Sequence, residues 1–157
     1  MNRIELIDVA LLEAASRLAA ASPRLRKNYN FHASGDEPCN RLLNAIEPGS
    51  YVRPHCHMDA SKDETVLVLR GRVGMLEFDP AGRVSGSAVL EPAGRAMGIN
   101  VPHGTFHALL ALAPGTVFFE AKAGPYAALL PAERPDWAPE EGSADAARYL
   151  AWMRSHF

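Results

Sequence analysis

Four side chains of this sequence have the types and spacing to hold a metal ion. His55 and His57 stand one residue apart in GSYVRPHCHMDASKDETVLVLRG, Glu64 follows in the same stretch, and His107 comes later in VPHGTFHALLAL. Side chains alternate faces along a strand, so His55 and His57 point one way and Cys56 the other. Glu64 opens the next run, with Val66 and Val68 on its own face, and a hairpin between the two runs brings its carboxylate beside the histidines. Pro102 and Gly104 make a turn, after which His107 enters a strand and becomes available as a fourth ligand. Imidazole and carboxylate together suit zinc, iron, nickel or manganese, and they leave positions open on a metal that prefers about five or six ligands. An open position is what catalysis at a metal requires. Taken singly, each histidine is more often solvent-facing or a satisfied core residue; the joint spacing points instead to one divalent metal ion.

The elements that must position these residues are short. Residues 4–7 read as a brief strand, and Asp8 as the N-cap of a helix, VALLEAASRLAAA, rich in strong helix formers and stopped at Ser22-Pro23. From about residue 40 the texture changes to the runs NRLLNAI, SYVRPH, ETVLVLRG, RVGMLEF, SAVLEP, AMGINV, FHALLAL and TVFFEAK. The breaks carry Pro-Gly, Asp-Pro-Ala-Gly, Pro-Ala-Gly, Pro-His-Gly and Ala-Pro-Gly, so the runs read as closely spaced strands. With no helices between them, they predict an all-β sandwich or jelly-roll barrel rather than a parallel α/β sheet. A proline-rich loop, LLPAERPDWAPEEG, precedes a last helix, ADAARYLAWMRSHF, with Ser143 as its N-cap and Leu150, Trp152 and Met153 offering apolar surface to the barrel. The expected organisation is one domain over residues 1–157: strand and helix over 1–27, barrel over 28–123, loop and terminal helix over 124–157.

Composition narrows the function classes. A chain of 157 residues with 48% hydrophobic and 22% charged residues and a net charge of -2 reads as an ordinary globule with no nucleic-acid partner. Glu5, Asp8 and Glu13 interrupt any export-signal core, and no apolar run reaches the roughly 18 residues of a membrane span, so the expectation is a cytoplasmic protein with no membrane partner. Cys39 and Cys56 fit buried thiols of a reduced protein better than a disulfide framework. No Gly-rich phosphate loop, Ser-His-Asp order or Cys-x-x-Cys pair is present.

The spacing Gly49, His55-x-His57, Glu64, Gly71 resembles the first motif of the cupin superfamily, and Pro102-x-Gly104-x-x-His107 resembles its second. The resemblance implies a double-stranded β-helix, the cupin jelly-roll barrel, with the metal inside it and with the N-terminal and C-terminal helices added outside. Six residues separate His57 from Glu64, more than that family usually has, so Asp59 or Asp63 is an alternative ligand; the six-residue distance from Glu64 to Gly71 favours Glu64. Ala111 stands where the family often has asparagine. A narrower resemblance, carried by SPRLRKNYNFH, NRLLNAIEPGSYVRPHCH and the ending WAPEEGSADAARYLAWM, is to the WbuC family of cupin-fold metalloproteins, and it implies a link to surface polysaccharide metabolism.

Candidate substrate contacts follow from parity and from that resemblance. Tyr51 and Arg53 share the parity of His55 and His57, although Pro54 marks an irregular or edge strand. Arg41 is either an anion clamp or half of a surface ion pair. Asn28, Asn30 and His32 are marked out by the narrower resemblance, the alternative being an ordinary polar strand edge. His103 reads as part of a turn, Cys56 as a small buried hydrophobe, the Phe118-Phe119 pair as barrel core, and Glu120 and Lys122 as solvent-facing. The leading expectation is a metal-binding cupin enzyme, of isomerase, epimerase or lyase type, acting on a small sugar-derived or polyhydroxy substrate. The alternatives are an iron-dependent dioxygenase and a non-catalytic ligand-binding or sensing cupin. A homodimer is expected for any of them, because an open jelly roll has edges to cover.

Overall fold

Alternation of side chains along the strands decides the architecture. The structure, a computed structural model, describes residues 4–157. In chain order its elements are α1 (Val9–Ala20), β1 (Arg26–Asn30), β2 (Cys39–Ile46), β3 (Glu64–Arg70), β4 (Val73–Phe78), β5 (Val84–Leu90), β6 (Gly98–Val101), β7 (Phe106–Ala111), β8 (Thr116–Ala123), a 3-10 turn (Pro131–Glu133) and α2 (Ala146–Arg154). The strands form two antiparallel sheets, one ordered β1-β2-β8-β3-β6 and the other β5-β4-β7. Ile46, Val66, Val68, Val73, Leu90, Leu109, Ala111 and Phe118 meet between the sheets.

The opposite faces are covered by the helices. Asp8 caps α1 by accepting a hydrogen bond from the Leu11 N–H at 2.9 Å. Ala15 and Ala19 of that helix then pack against Leu43, Ala45 and Val117 on the outer face of the larger sheet. Leu150 and Met153 of α2 pack against Leu76, Phe78 and Leu110 on the outer face of the smaller one. Residue parity is therefore consistent through each strand: Leu109 faces the interior while Leu110 faces α2, and Phe118 faces the interior while Val117 faces α1.

Four local expectations change. Residues 4–7 form no strand and are exposed; they meet the edge strand β1 only through side chains, the Tyr29 hydroxyl donating to the Glu5 carboxylate. SYVRPH is irregular except for a single antiparallel bridge from His55 to His107; Pro54 has no N–H to give a ladder. The last helix begins at Ala146, with Asp145 as its N-cap and no side-chain cap bond, rather than at Ser143. Cys56 is buried but Cys39 is exposed, and both thiols are free.

Gly71 turns β3 into β4 at a φ of 77°, and a Cβ there would stand 2.8 Å from the Thr116 Cα. Gly71→Ala therefore combines left-handed backbone strain with a clash against buried backbone. A loss of about 1–3 kcal/mol is expected in denaturant unfolding; a variant as stable as wild type would show that the turn can relax.

Candidate metal and substrate site

The polar and apolar residues of the interior are segregated lengthwise. Inward positions run Glu64, Val66, Val68 along β3, Lys122, Glu120, Phe118 back along β8, and His107, Leu109, Ala111 along β7. On β2 the inward carboxamides Asn40 and Asn44 precede Ile46. Antiparallel pairing places Glu64 opposite Lys122 and Asn40 opposite Lys122 on its other side. The polar ends of these strands thus share one end of the sandwich, and there they line a cavity of about 730 Å³ that also takes in His55, His57, Asn28 and Asn30.

The backbone holds two of the histidines as a unit. The His55 N–H donates to the His107 carbonyl at 3.1 Å, and the His107 N–H donates back to the His55 carbonyl at 2.9 Å. Each ring is oriented through Nδ1, which donates to the Arg53 carbonyl at 3.1 Å in His55 and to the Thr105 carbonyl at 3.0 Å in His107. Nε2 of His107 is buried with no partner. His57 is held through its own carbonyl, which accepts the Gly104 N–H at 2.6 Å. Ring centroids lie 5.2 Å apart for His55 and His57, 4.8 Å for His55 and His107, and 6.3 Å for His57 and His107.

Burial pushes the His55 pKa down to about 3, with His107 acting in the same direction. Burial likewise lowers that of His107. Both rings are therefore neutral near pH 7 and keep a lone pair for coordination. Glu64 is 4% exposed. Burial works to raise its pKa, but the neighbouring His57 and the Lys122 ammonium outweigh it and hold the carboxyl below the ordinary carboxylate range.

Lys122 stands among these groups. Its ammonium donates to Glu64 Oε2 at 2.9 Å, to His57 Nε2 at 3.1 Å and to Glu120 Oε1 at 3.2 Å. Burial disfavours that charge, yet Glu120 and Glu64 together hold the lysine pKa above its ordinary value. Glu120 also accepts from Asn44 Nδ2 at 2.7 Å, and burial, followed by the nearby Glu64 charge, raises its pKa. Glu120 and Lys122 are thus interior residues, not solvent-facing ones; they share the parity of Phe118 rather than of Phe119.

The donor chemistry of His55, His57, Glu64 and His107 fits a borderline divalent cation: two neutral imidazoles, His55 and His107, oriented through Nδ1, the second with an orphaned Nε2, beside the His57 ring and an ionised carboxylate. Among the described residues, no three of these groups already surround one point at coordinating distance. The two alternative carboxylates are engaged elsewhere. Asp59 Oδ1 accepts from the Ser61 N–H and hydroxyl, and Asp63 Oδ1 accepts from the His103 N–H and lies 2.9 Å from its Nδ1.

Of the expected substrate contacts, Asn28 and Asn30 line the cavity, from the edge strand β1. The others lie off its wall. Arg41 has the opposite parity to Asn40 and Asn44 and pairs with Glu37 at 3.2 Å. His32 Nδ1 is engaged with the Arg41 backbone, outside the cavity. Tyr51 donates to the Pro139 carbonyl at 2.8 Å, and Arg53 to the Pro135 carbonyl at 2.7 Å, because the irregular chain before Pro54 turns both toward the 135–140 loop. One further support has no local signature in the sequence. Buried Glu133 accepts the Met58 and Leu130 N–H groups, each at 2.7 Å, and so braces the histidine segment.

At the rim, Arg24 and Arg26 both donate to Glu141, with contacts of 2.6 and 2.7 Å to its Oε2. The Arg24 hydrogen bonds, with Arg26 beside them, hold the Glu141 carboxyl pKa at about 2. A folded-state value below the ordinary one stabilises the fold above the ordinary carboxylate range, and the effect fades as the pH falls through that range. Glu141→Gln is expected to lower Tm at pH 7, with the gap to wild type closing toward about pH 3. A gap of constant size across that range would exclude this clamp as its cause.

Two antiparallel sheets closed over an interior site, with helices outside, define a cupin-type jelly roll. The chain is similar to TT1209 from Thermus thermophilus (19% identity over 76% of this chain and 97% of that one, TM-score 0.54). It is also similar to KdgF from Halomonas sp. (18%, 65% and 82%, 0.51) and to the DMSP lyase DddQ from Ruegeria pomeroyi (17%, 66% and 49%, 0.50). At these identities the likeness is one of fold. A search of curated proteins gave no match. The chain belongs to the family described as Domain of unknown function (DUF6016), whose model matches residues 7–90, more than half of its length. Among the described residues no helix is long and apolar enough to cross a membrane.

Proposed function

We propose that this protein is a metal-dependent cupin enzyme acting on a small hydroxyl-rich substrate, with isomerase, epimerase or lyase chemistry. The observation that carries the reading is the convergence of His55, His57 and His107 with Glu64 on one cavity, where the buried His107 Nε2 has no hydrogen-bond partner. These four residues would hold one divalent ion, which as a Lewis acid would polarise a substrate oxygen. The protein's own groups supply the rest. Asn28, Asn30, Asn40 and Asn44 present carboxamides along one wall, each able to donate to and accept from hydroxyl groups. Asn40, 5% exposed, keeps an unpartnered Oδ1. Glu120, tied to Asn44 and Lys122, is the group placed to take or return a proton inside the cavity.

The resemblance of the 22–32 and 40–57 segments to the WbuC family supports a substrate from surface polysaccharide metabolism. One neighbour of the same fold is described as a lyase, which is in keeping with that reaction class. We place the protein in the cytoplasm as a homodimer, for which the edge strands β1, β6 and β5 offer pairing surface. The test is elemental analysis of protein purified from metal-supplemented growth, followed by chelation and reloading. About one zinc, iron, nickel or manganese per chain is expected; reloaded protein that retains none after desalting would overturn the proposal.

A further inference from the structure

We infer that Lys122 is a resident cation that competes with the metal for its own ligands, and that Glu120 is the anion to which it withdraws when the metal enters. The inference rests on the metal-centre reading above. A lysine ammonium has three N–H donors and no acceptor, and here the three reach His57 Nε2, Glu64 Oε2 and Glu120 Oε1 at 3.1, 2.9 and 3.2 Å. Two of those acceptors are atoms that a metal would take. By accepting from Lys122, His57 Nε2 commits the lone pair it would otherwise give to an ion. His107 Nε2, beyond the ammonium's contacts, is left with no partner.

The cluster is thus divided: one pair of donors is satisfied by a lysine and another donor by nothing. The division agrees with the absence, among the described residues, of three ligating groups at coordinating distance round one point. A divalent ion and an ammonium cannot share this space, since like charges a few ångströms apart in a partly desolvated site repel strongly. The lysine has somewhere to go. Glu120 already accepts one of its hydrogens and is fixed on its other oxygen by Asn44 Nδ2 at 2.7 Å, so the ammonium can give up Glu64 and His57 while keeping an anionic partner. The arrangement sets metal affinity below that of the bare ligands and keeps the metal-free site charge-compensated.

Two substitutions should therefore act in opposite directions. In calorimetric titrations of chelator-treated protein with zinc chloride and with manganese chloride, Lys122→Met is expected to bind at least about tenfold more tightly than wild type. Glu120→Gln, which removes the withdrawal site, is expected to bind about tenfold more weakly. Lys122→Met should also melt at a lower temperature than wild type without metal and gain more on metal addition, while Lys122→Arg should keep the low affinity. Equal affinities in wild type and Lys122→Met, or weakening by both substitutions, would overturn the inference and leave the metal centre standing. No uptake of either ion by wild type or by Lys122→Met would bring down both. If Lys122→Met does not fold, the sign of the Glu120→Gln effect decides: unchanged or tighter binding overturns the inference.

Discussion

His107→Ala is expected to lose metal by about tenfold or more relative to wild type, with the fold retained. The substitution removes an imidazole that is 2% exposed and whose Nε2 has no protein partner, so the only side-chain hydrogen bond that falls with it is the local one from Nδ1 to the Thr105 carbonyl. What it would cost, on the proposed reading, is a ligand to the metal. Asp63→Ala serves as the control, because that carboxylate is spent on the His103 N–H at the protein surface. Metal content would be measured on both variants beside wild type after identical loading. Full retention in His107→Ala would remove this histidine from the ligand set, and loss in Asp63→Ala would move the carboxylate ligand away from Glu64.

Phe118→Ala should produce the largest loss of stability. The ring is 5% exposed and stands where the inward row of β8 passes from apolar to charged, with Val66, Val68 and Leu109 about it and Glu120 two residues on. Deleting such a ring costs about 3–5 kcal/mol through lost transfer energy and the void left behind. It would also extend the polar cavity into the apolar layer, so water admitted there should recover little of the loss. Denaturant unfolding would give the value from the shift in midpoint. A loss below about 1 kcal/mol would mean that the layer closes over the gap, and that Phe118 is not what separates core from cavity.

The breaks between strands were legible because glycine and proline mark them, and α1 was legible from Asp8 and the run of strong helix formers behind it. Grouping His55, His57, Glu64 and His107 needed only their types and spacing, and they do meet at one cavity. The lysine among them was not foreseen. Reading Glu120 and Lys122 as solvent-facing took Phe119 as their reference, whereas they alternate in step with Phe118; which of two adjacent phenylalanines faces inward depends on whether α1 covers the other, and no local pattern states that. Tyr51 and Arg53 were placed by a strand parity that the chain abandons before Pro54. Arg41 lies on a genuine strand, but on the face opposite Asn40 and Asn44. Glu133 binds Leu130 nearby, but its bracing of Met58 spans 75 residues of chain and leaves no local pattern.

The bridge between His55 and His107 sets these two rings apart from His57 and Glu64. The two backbones are tied to each other by a reciprocal pair of hydrogen bonds, so the spacing of these two rings is set by the fold itself. His57 and Glu64 are held differently, sharing the Lys122 ammonium through their side chains. On the metal-centre reading proposed above, His55 and His107 would be the prearranged part of the ligand set and His57 and Glu64 the part that must adjust.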